Sequence, residues 1–317
     1  MNMTFHSMLE LEGMMAVLMA VGYLVYRRGI VTEKGKQSLV NLCIAFIIPC
    51  NIIQAFCKEP EIGTLGQLGR IFFISVTAHL FCVLAGRFLF GRYPKAKRSV
   101  LQYATVCSNG GFMGNAVAEG LFGTSGLVYA SIFLIPMRIV MWGFGPGYFS
   151  GGQSAKETTR KILCHPCMIG VYTGLLLMIT GVRPPVFLYT VIQKAGNCTV
   201  PMTMMVVGMI LAQEKLGNLL SATTLYFSLV RLGILPLVTL LLCRVIEGLD
   251  PVSTGVCVIM MGLPAATMTP IMADRYGGDA VLASRCLVLT TGLSLATLTA
   301  WGCCCFKACL WTLWFAP

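Results

Sequence analysis

The sequence predicts an all-α integral membrane protein of ten transmembrane helices, built as two inverted five-helix repeats whose fourth helices, segments 4 and 9, are broken and cross. Three observations carry this expectation. Only 11% of the 317 residues are charged and 56% are hydrophobic, against about 25% charged in an ordinary soluble domain, and mean hydropathy is +0.80. The apolar residues fall in blocks of roughly 18 to 25, the length that crosses about 30 Å of hydrocarbon. The two halves also resemble each other at an offset of about 153 residues.

The blocks place segments at 11–26, 39–57, 68–90, 99–121 and 126–149, then at 166–182, 186–213, 219–243, 251–273 and 279–305. The Gly/Ser-rich and then charged stretch SGGQSAKETTRK at 150–161 divides them five and five. The expected organisation is therefore a first repeat over 1–149, a cytoplasmic linker over 150–165, a second repeat over 166–306 and a short tail over 307–317. The amino terminus, MNMTFHSMLE, has no basic region and no small-residue cleavage site, so the first helix is expected to be retained. Most of the fifteen cysteines lie inside apolar blocks, as do Cys43, Cys50 and Cys57, and read as small buried apolar residues.

Basic residues set the orientation. Arg27, Arg28, Lys34 and Lys36 follow the first segment, Arg92, Lys95, Lys97 and Arg98 the third, and Lys156, Arg160 and Lys161 the fifth. Positive loops stay cytoplasmic. The turn after the second segment carries Lys58 beside Glu59 and Glu61, and the turn after the fourth has no charge, so both termini are expected outside a cell (plasma or inner) membrane. In the second half, Arg183, Lys215, Arg244 and Arg275 give little bias, and parity alone orients it. The formal net charge of +11 is accounted for by these loops and calls for no nucleic-acid partner.

The repeat is anchored at three places: Pro49 matches Pro201, Ala118-Glu119 with Gly123 matches Ala273-Asp274 with Gly278, and Leu127 to Ser131 resembles Ala280 to Ser284. An odd number of helices per repeat inverts the second copy, and helices interrupted at matching positions mark transporter sites at the repeat interface. The fourth segment holds Ser108-Asn109-Gly110-Gly111-Phe112-Met113-Gly114-Asn115, and the offset carries Asn109 onto Pro264, within Gly262-Leu-Pro-Ala-Ala-Thr-Met-Thr-Pro270. Glycine leaves helical geometry easily, and Pro264 and Pro270 each remove an amide donor. Where two such breaks cross, half-helix N-termini direct positive dipole ends at one point, which suits an anion. Ser108, Asn109, Asn115, Pro264 and Thr267 are thus the expected substrate-binding residues. Asn51, Asn197 and Thr199, beside Pro49 and Pro201, are expected to line the scaffold side of the path. The expected helix breakers are Pro49, Gly110, Gly111, Gly114, Pro201, Pro264 and Pro270.

With these residues in view, the chain resembles the auxin efflux carrier family of membrane transport proteins over almost its whole length. The resemblance is most specific at Ser108-Asn-Gly-Gly-Phe-Met-Gly114, at Thr159-Arg-Lys-Ile-Leu-Cys-His-Pro166, and at Gly262-Leu-Pro-Ala-Ala266 with Ala273-Asp-Arg-Tyr-Gly-Gly278. It implies a scaffold of helices 1, 2, 6 and 7, a moving domain formed by the rest, and elevator-like transport. Where the family usually carries a proline just after its glycine stretch, this chain has Ala116, so its first break depends more on glycine and Asn109.

Ionisable residues at membrane depth are functional candidates by default, and here they are His79, Glu119, Arg138, Lys194, Arg231 and Arg285. The offset places His79 and Arg231 one residue apart, and histidine is suited to carry a coupling proton. They are read as the coupling pair, against an equal expectation that His79 is a hydrogen-bonded structural residue. Arg138 and Arg285 read as residues that hold helices together, and Glu119 and Asp274 as caps or gates.

Gly123-Thr-Ser125-Gly126 matches the G-x-S-G of rhomboid-type proteases, but no later helix offers a central base, and a turn explains the same letters. Cys164-His-Pro-Cys167 has redox spacing without a thioredoxin-like βαβ context. His6, His79 and His165 lie on different segments, so no metal and no cofactor is expected. The reading is a non-enzymatic secondary transporter for a small carboxylate, with a coupling proton and a homodimeric second copy as further candidate partners. Its rivals are a channel-like uniport pathway on the same fold, an intramembrane hydrolase, and a sensor that has lost transport.

Overall fold

Helix forms wherever the apolar blocks run, and the departures from it fall at proline, glycine and asparagine. The computed structural model describes residues 5–57, 64–141, 145–149, 159–160, 162–213 and 219–314. The expectations that rest on Lys58, Glu59, Glu61, Lys156, Lys161, Lys215 and most of the 150–161 linker lie outside those residues. Among the described residues there is no strand, only one isolated antiparallel bridge, between Ser108 and Ala265.

The first half comprises α1 (Phe5–Arg27), α2 (Glu33–Leu42) continued through a π-turn (Cys43–Ile47) into α3 (Ile48–Cys57), α4 (Thr64–Phe90), α5 (Lys95–Val106), a second π-turn (Gly110–Gly114) leading into α6 (Asn115–Ile139), and the short α7 (Gly145–Phe149). The second half comprises α8 (Pro166–Thr180), α9 (Val186–Asn197), α10 (Thr199–Gln213), α11 (Ala222–Leu229) continued through a π-turn (Val230–Ile234) into α12 (Leu235–Val245), α13 (Pro251–Met261), α14 (Met268–Tyr276) and α15 (Ala280–Trp314). Starts are fixed by local chemistry. Asp250 Oδ1 accepts the amide of Ser253 at 2.6 Å ahead of Pro251, and His165 Nδ1 accepts that of Cys167 at 3.3 Å ahead of Pro166, each satisfying an orphan N–H of a first turn.

Among the described residues, six stretches are long and apolar enough to cross a membrane: Glu33–Cys57, Gly66–Phe90, Gly110–Ile139, Val186–Gln213, Ala222–Val245 and Ala280–Cys305. Shorter apolar helices run over Pro166–Thr180 and Pro251–Met261. Large apolar side chains face outward along them, Phe88 at 86% and Phe187 at 74% exposure, which a water-facing surface would not tolerate as a band. The protein is a multi-pass membrane protein.

One of the six stretches is a hairpin. Within α6, Gly123 has φ 65° and ψ −152°, a region essentially closed to other residues. A Cβ on Gly126 would overlap the carbonyl oxygen of Ala118. Eight residues of straight helix separate two such positions by about 12 Å, so the chain doubles back at Gly123 and residues 110–122 and 124–139 are two helices packed on each other. The second half turns similarly after α14, where Gly277 (φ 77°) ends the helix and Asp279 Oδ1 caps the next through the amide of Leu282 at 2.9 Å.

Prolines shape the long helices through the donor they lack. Pro236, just after the third π-turn, leaves the carbonyl of Leu232 without its helical partner, and Trp301 Nε1 of α15 donates to that oxygen at 2.7 Å. A π-turn likewise precedes Pro49, and the chain breaks at Cys198 three residues before Pro201. The two halves meet most closely where α1 crosses α10. A Cβ on Gly22 would overlap the Met205 carbonyl, and one on Gly208 the Met19 carbonyl, so the backbones are in direct contact, as small residues permit in lipid.

Candidate substrate site at the crossover

The helix of α5 stops at Val106 because Cys107 is extended, with φ −94° and ψ 111°, and α13 stops at Met261 before Gly262 and Pro264. The two interruptions meet. The Asn109 amide donates to the Pro264 carbonyl at 2.9 Å, and the Ala266 amide donates to the Cys107 carbonyl at 3.1 Å, either side of the Ser108–Ala265 bridge. The Ala265 amide donates to Thr290 Oγ1 at 3.1 Å. Backbone groups that hydrocarbon cannot satisfy are thus satisfied by the opposite break and by α15.

Each break exposes a helix C-terminus on one side and an N-terminus on the other, and the two sides are treated differently. On the C-terminal side stands Arg231, fully buried in the π-turn between α11 and α12. Its Nε donates to the Leu263 carbonyl and its Nη1 to the Thr105 carbonyl, both at 2.9 Å. One cation therefore bridges the negative ends of two converging helices.

On the N-terminal side lies a small cavity of about 50 Å³. Ser108, Asn109, Gly111 and Phe112 enter it from the first break, and Ala266, Thr267 and Met268 from the second; Ile44, Ile48, Met137, Arg138, Met141, His165 and Cys167 close it. Gly111 has open space where a Cβ would stand. Ser108 is held there by weak contacts, its amide and hydroxyl both directed at Met137 Sδ at 3.4 and 3.2 Å. The Asn109 side chain is 2% exposed and its Nδ2 donates to nothing.

Of the residues singled out in the sequence, Ser108, Asn109 and Thr267 reach this cavity, with Pro264 directly behind them in the crossing. Asn115 does not line it; the side chain is fully buried one turn further along, and neither of its amide atoms has a partner. Asn51, Asn197 and Thr199 are not brought to it either. Asn51 Nδ2 donates to Glu119 Oε2 at 3.1 Å, Asn197 Oδ1 accepts from Gln54 at 3.2 Å, and Thr199 is buried with its hydroxyl unpaired. That side of the cavity is formed by Ile44, Ile48, His165 and Cys167 instead.

His79 is buried in α4, with Nδ1 2.7 Å from the Ser75 carbonyl and its ring 5.5 Å from that of Phe133. It lines a different and larger cavity, about 900 Å³, together with Arg87, Lys95, Arg98, Gln102 and Tyr148. Ser125 stands exposed in the turn at Gly123, and no group of three or more metal-ligating side chains occurs among the described residues.

Arg138, which the sequence reads as a residue that holds helices together, also lies at the cavity: it is 4% exposed, lines the cavity, and has no hydrogen-bond partner for Nη1 or Nη2. It stands two residues after Pro136 inside an apolar helix.

A family model described as membrane transport protein matches residues 7–150 and 152–302 of this chain. The chain belongs to the membrane transport protein family. Among its relatives in this family of auxin efflux carrier type are two archaeal proteins named as uncharacterized transporters. That of Methanothermobacter thermautotrophicus is 26% identical over 298 residues, 90% of this chain and 94% of its own. That of Methanocaldococcus jannaschii is 25% identical over 301 residues, 90% and 95% of the two chains. A Rhizobium meliloti protein carrying the name "putative malonate transporter" is 23% identical over 297 residues, covering 89% and 91%. Membership extends over both breaks, so the crossing belongs to the part this family member shares with proteins named as transporters.

Proposed function

We propose that this protein is a secondary transporter that carries a small organic anion, a carboxylate, across the cell membrane by elevator-like alternating access. The observation that carries the reading is the asymmetry of the crossover. Its two C-terminal ends are already neutralised by Arg231, while its two N-terminal ends open on a cavity where Asn109 holds an unused donor. Helix N-termini attract anions, and the name of the Rhizobium relative supports a carboxylate as the class.

In this reading the ten-segment inverted repeat, with both termini outside, supplies the scaffold and the moving body. The antiparallel sense of the Ser108–Ala265 bridge and the hairpins at Gly123 and Gly277 support an inverted pair of breaks. Substrate oxygens meet the Asn109 amide group, the Ser108 and Thr267 hydroxyls and the free amides of the two first turns. Asn115 and Thr199, buried with unpaired polar atoms, become partners as the moving body shifts. His79 carries a coupling proton, with Arg231 as the fixed charge of the same body.

Purified protein screened against a panel of carboxylates at two pH values, by thermal shift and by uptake into proteoliposomes, tests the proposal. Saturable uptake with counterflow is expected. Non-saturating flux without counterflow would favour a channel, and no response to any anion would remove the reading.

A further inference from the structure

The cavity of about 900 Å³ that His79 borders is apolar along most of its length and cationic at one end. From α4 it takes Phe72, Val76, Leu80, Val83 and Arg87, spaced three or four residues apart and therefore in one line down a single helix face. Four apolar side chains come first and the cation last. The start of α5 lies beside that cation, because Arg98 Nη1 donates to the Gly91 carbonyl at 3.4 Å and Gln102 Nε2 to the Gly86 carbonyl at 3.3 Å. Lys95 and Arg98 thus join Arg87 at one mouth of the cavity, and no aspartate or glutamate lines it.

We propose that this cavity is a site for one anionic phospholipid, its phosphate held by Arg87, Lys95 and Arg98 and an acyl chain lying along the α4 stripe. The site is separate from the crossover and does not rest on the reading given for it. The end of α6 presents Met137, Arg138 and Met141 to the crossover cavity, and Pro136, Ile139 and Val140 to this one.

The dimensions fit a lipid. Arg87 follows Phe72 by 15 residues, about 22 Å of helix at 1.5 Å per residue. One leaflet offers about 15 Å of hydrocarbon and roughly 5 to 7 Å of headgroup, so the stripe runs the depth of a leaflet with its cation at headgroup level. Phe72, Val76 and Leu80 are 41%, 41% and 59% exposed, on a stretch apolar enough to cross the membrane. That wall of the cavity faces acyl chains. The charge at the mouth is unmet within the protein: among the described residues no carboxylate pairs with Arg87, Lys95 or Arg98. The first turn of α5 holds Lys95, Lys97 and Arg98 and no acidic residue, the reverse of what a helix N-terminus favours. Unbalanced positive charge at one end of an apolar channel is the complement of a phospholipid, and basic pockets between membrane helices take anionic headgroups in this way.

The test uses the full chain in neutral detergent, with thermal shift titrations and native mass spectrometry. The probes are phosphatidylglycerol, zwitterionic phosphatidylcholine, and glycerophosphoglycerol, which is the first headgroup without its chains. Phosphatidylglycerol should raise the unfolding midpoint and persist as a one-to-one adduct, binding at least tenfold tighter than phosphatidylcholine. Glycerophosphoglycerol should do neither at equal concentration. A basic residue beside an anionic headgroup contributes about a factor of five. Arg87→Gln should therefore weaken phosphatidylglycerol about fivefold, and Arg87→Gln with Lys95→Gln and Arg98→Gln about 10- to 100-fold, with phosphatidylcholine unchanged. Arg27→Gln with Arg28→Gln and Lys34→Gln removes equal charge from another basic loop and should keep the wild-type preference. Equal loss in the two triple variants would reduce the effect to general attraction between basic loops and lipid, and would overturn the site. Protection by glycerophosphoglycerol equal to that by phosphatidylglycerol would make the ligand a free phosphate and overturn the lipid. Should the site triple variant fail to fold, Arg87→Gln alone decides, and wild-type preference there overturns the proposal.

Discussion

Replacing Arg231 by methionine should destabilise the protein sharply, and the structure gives the size of the effect. The guanidinium makes two hydrogen bonds, to the Thr105 and Leu263 carbonyls, and bonds involving a charged group contribute about 1.5 to 3 kcal/mol each. Methionine matches the length of the side chain and leaves both carbonyls buried and unpaired, at about 1 to 3 kcal/mol each when one partner is lost. Against this stands the relief of no longer burying a charge, whose remaining Nη2 is unsatisfied. A net loss of about 2 to 5 kcal/mol is expected. Arg231→Lys keeps the charge at the two helix C-termini but cannot bridge both carbonyls, and should fall between. The buried thiols provide the assay, since Cys82, Cys107, Cys257 and Cys286 are free and inaccessible in the folded chain. A thiol-reactive dye then reports unfolding directly, and the midpoint should drop by several degrees in Arg231→Met. A variant that unfolds at the wild-type temperature would refute the view that Arg231 secures the crossover.

Other consequences can be checked separately. Gly123→Ala places a Cβ where no atom lies within 4 Å but where φ is 65°, so the cost is purely conformational, about 1 to 3 kcal/mol; Gly13→Ala in α1, with equal space and ordinary φ, should be neutral or stabilising on the same melting curve. His79→Gln should flatten the pH dependence of uptake while binding survives, and a mutant that keeps the wild-type pH profile would make His79 structural. Single cysteines placed along 150–161, in a background freed of native thiols, should resist an impermeant reagent in intact cells; ready labelling there would reverse the proposed orientation.

The sites of interruption were legible in the sequence because they depend on residues that act locally. Gly110, Gly111 and Asn109 on one side, and Gly262 and Pro264 on the other, remove Cβ atoms or donors, and the structure breaks its helices there. The turn near Gly123 was legible for the same reason. Which side chains meet in the cavity was less so. Ordinary helical spacing groups Asn51 with Ile44 and Ile48, but the π-turn at Cys43–Ile47 widens the helix by a residue and rotates the next turns, and Asn51 turns to Glu119. Arg138 and Arg231 look alike in the sequence, each an arginine within an apolar helix, and the three-dimensional neighbours distinguish them: two carbonyls meet Arg231, while Nη1 and Nη2 of Arg138 have no hydrogen-bond partner.

The central claim, that an anion binds at the N-terminal face of the crossover, is tested most directly by the affinity of Asn109→Ala for a transported carboxylate. Asn109 Nδ2 has no partner within the protein, so the substitution removes a ligand contact without breaking a structural bond. A hydrogen bond to a charged group contributes about 1.5 to 3 kcal/mol, and each 1.4 kcal/mol is a factor of ten in Kd. Affinity should therefore fall by roughly one to two factors of ten while the ligand-free melting temperature stays at the wild-type value. Unchanged affinity in a folded Asn109→Ala protein would contradict the account and place the anion elsewhere.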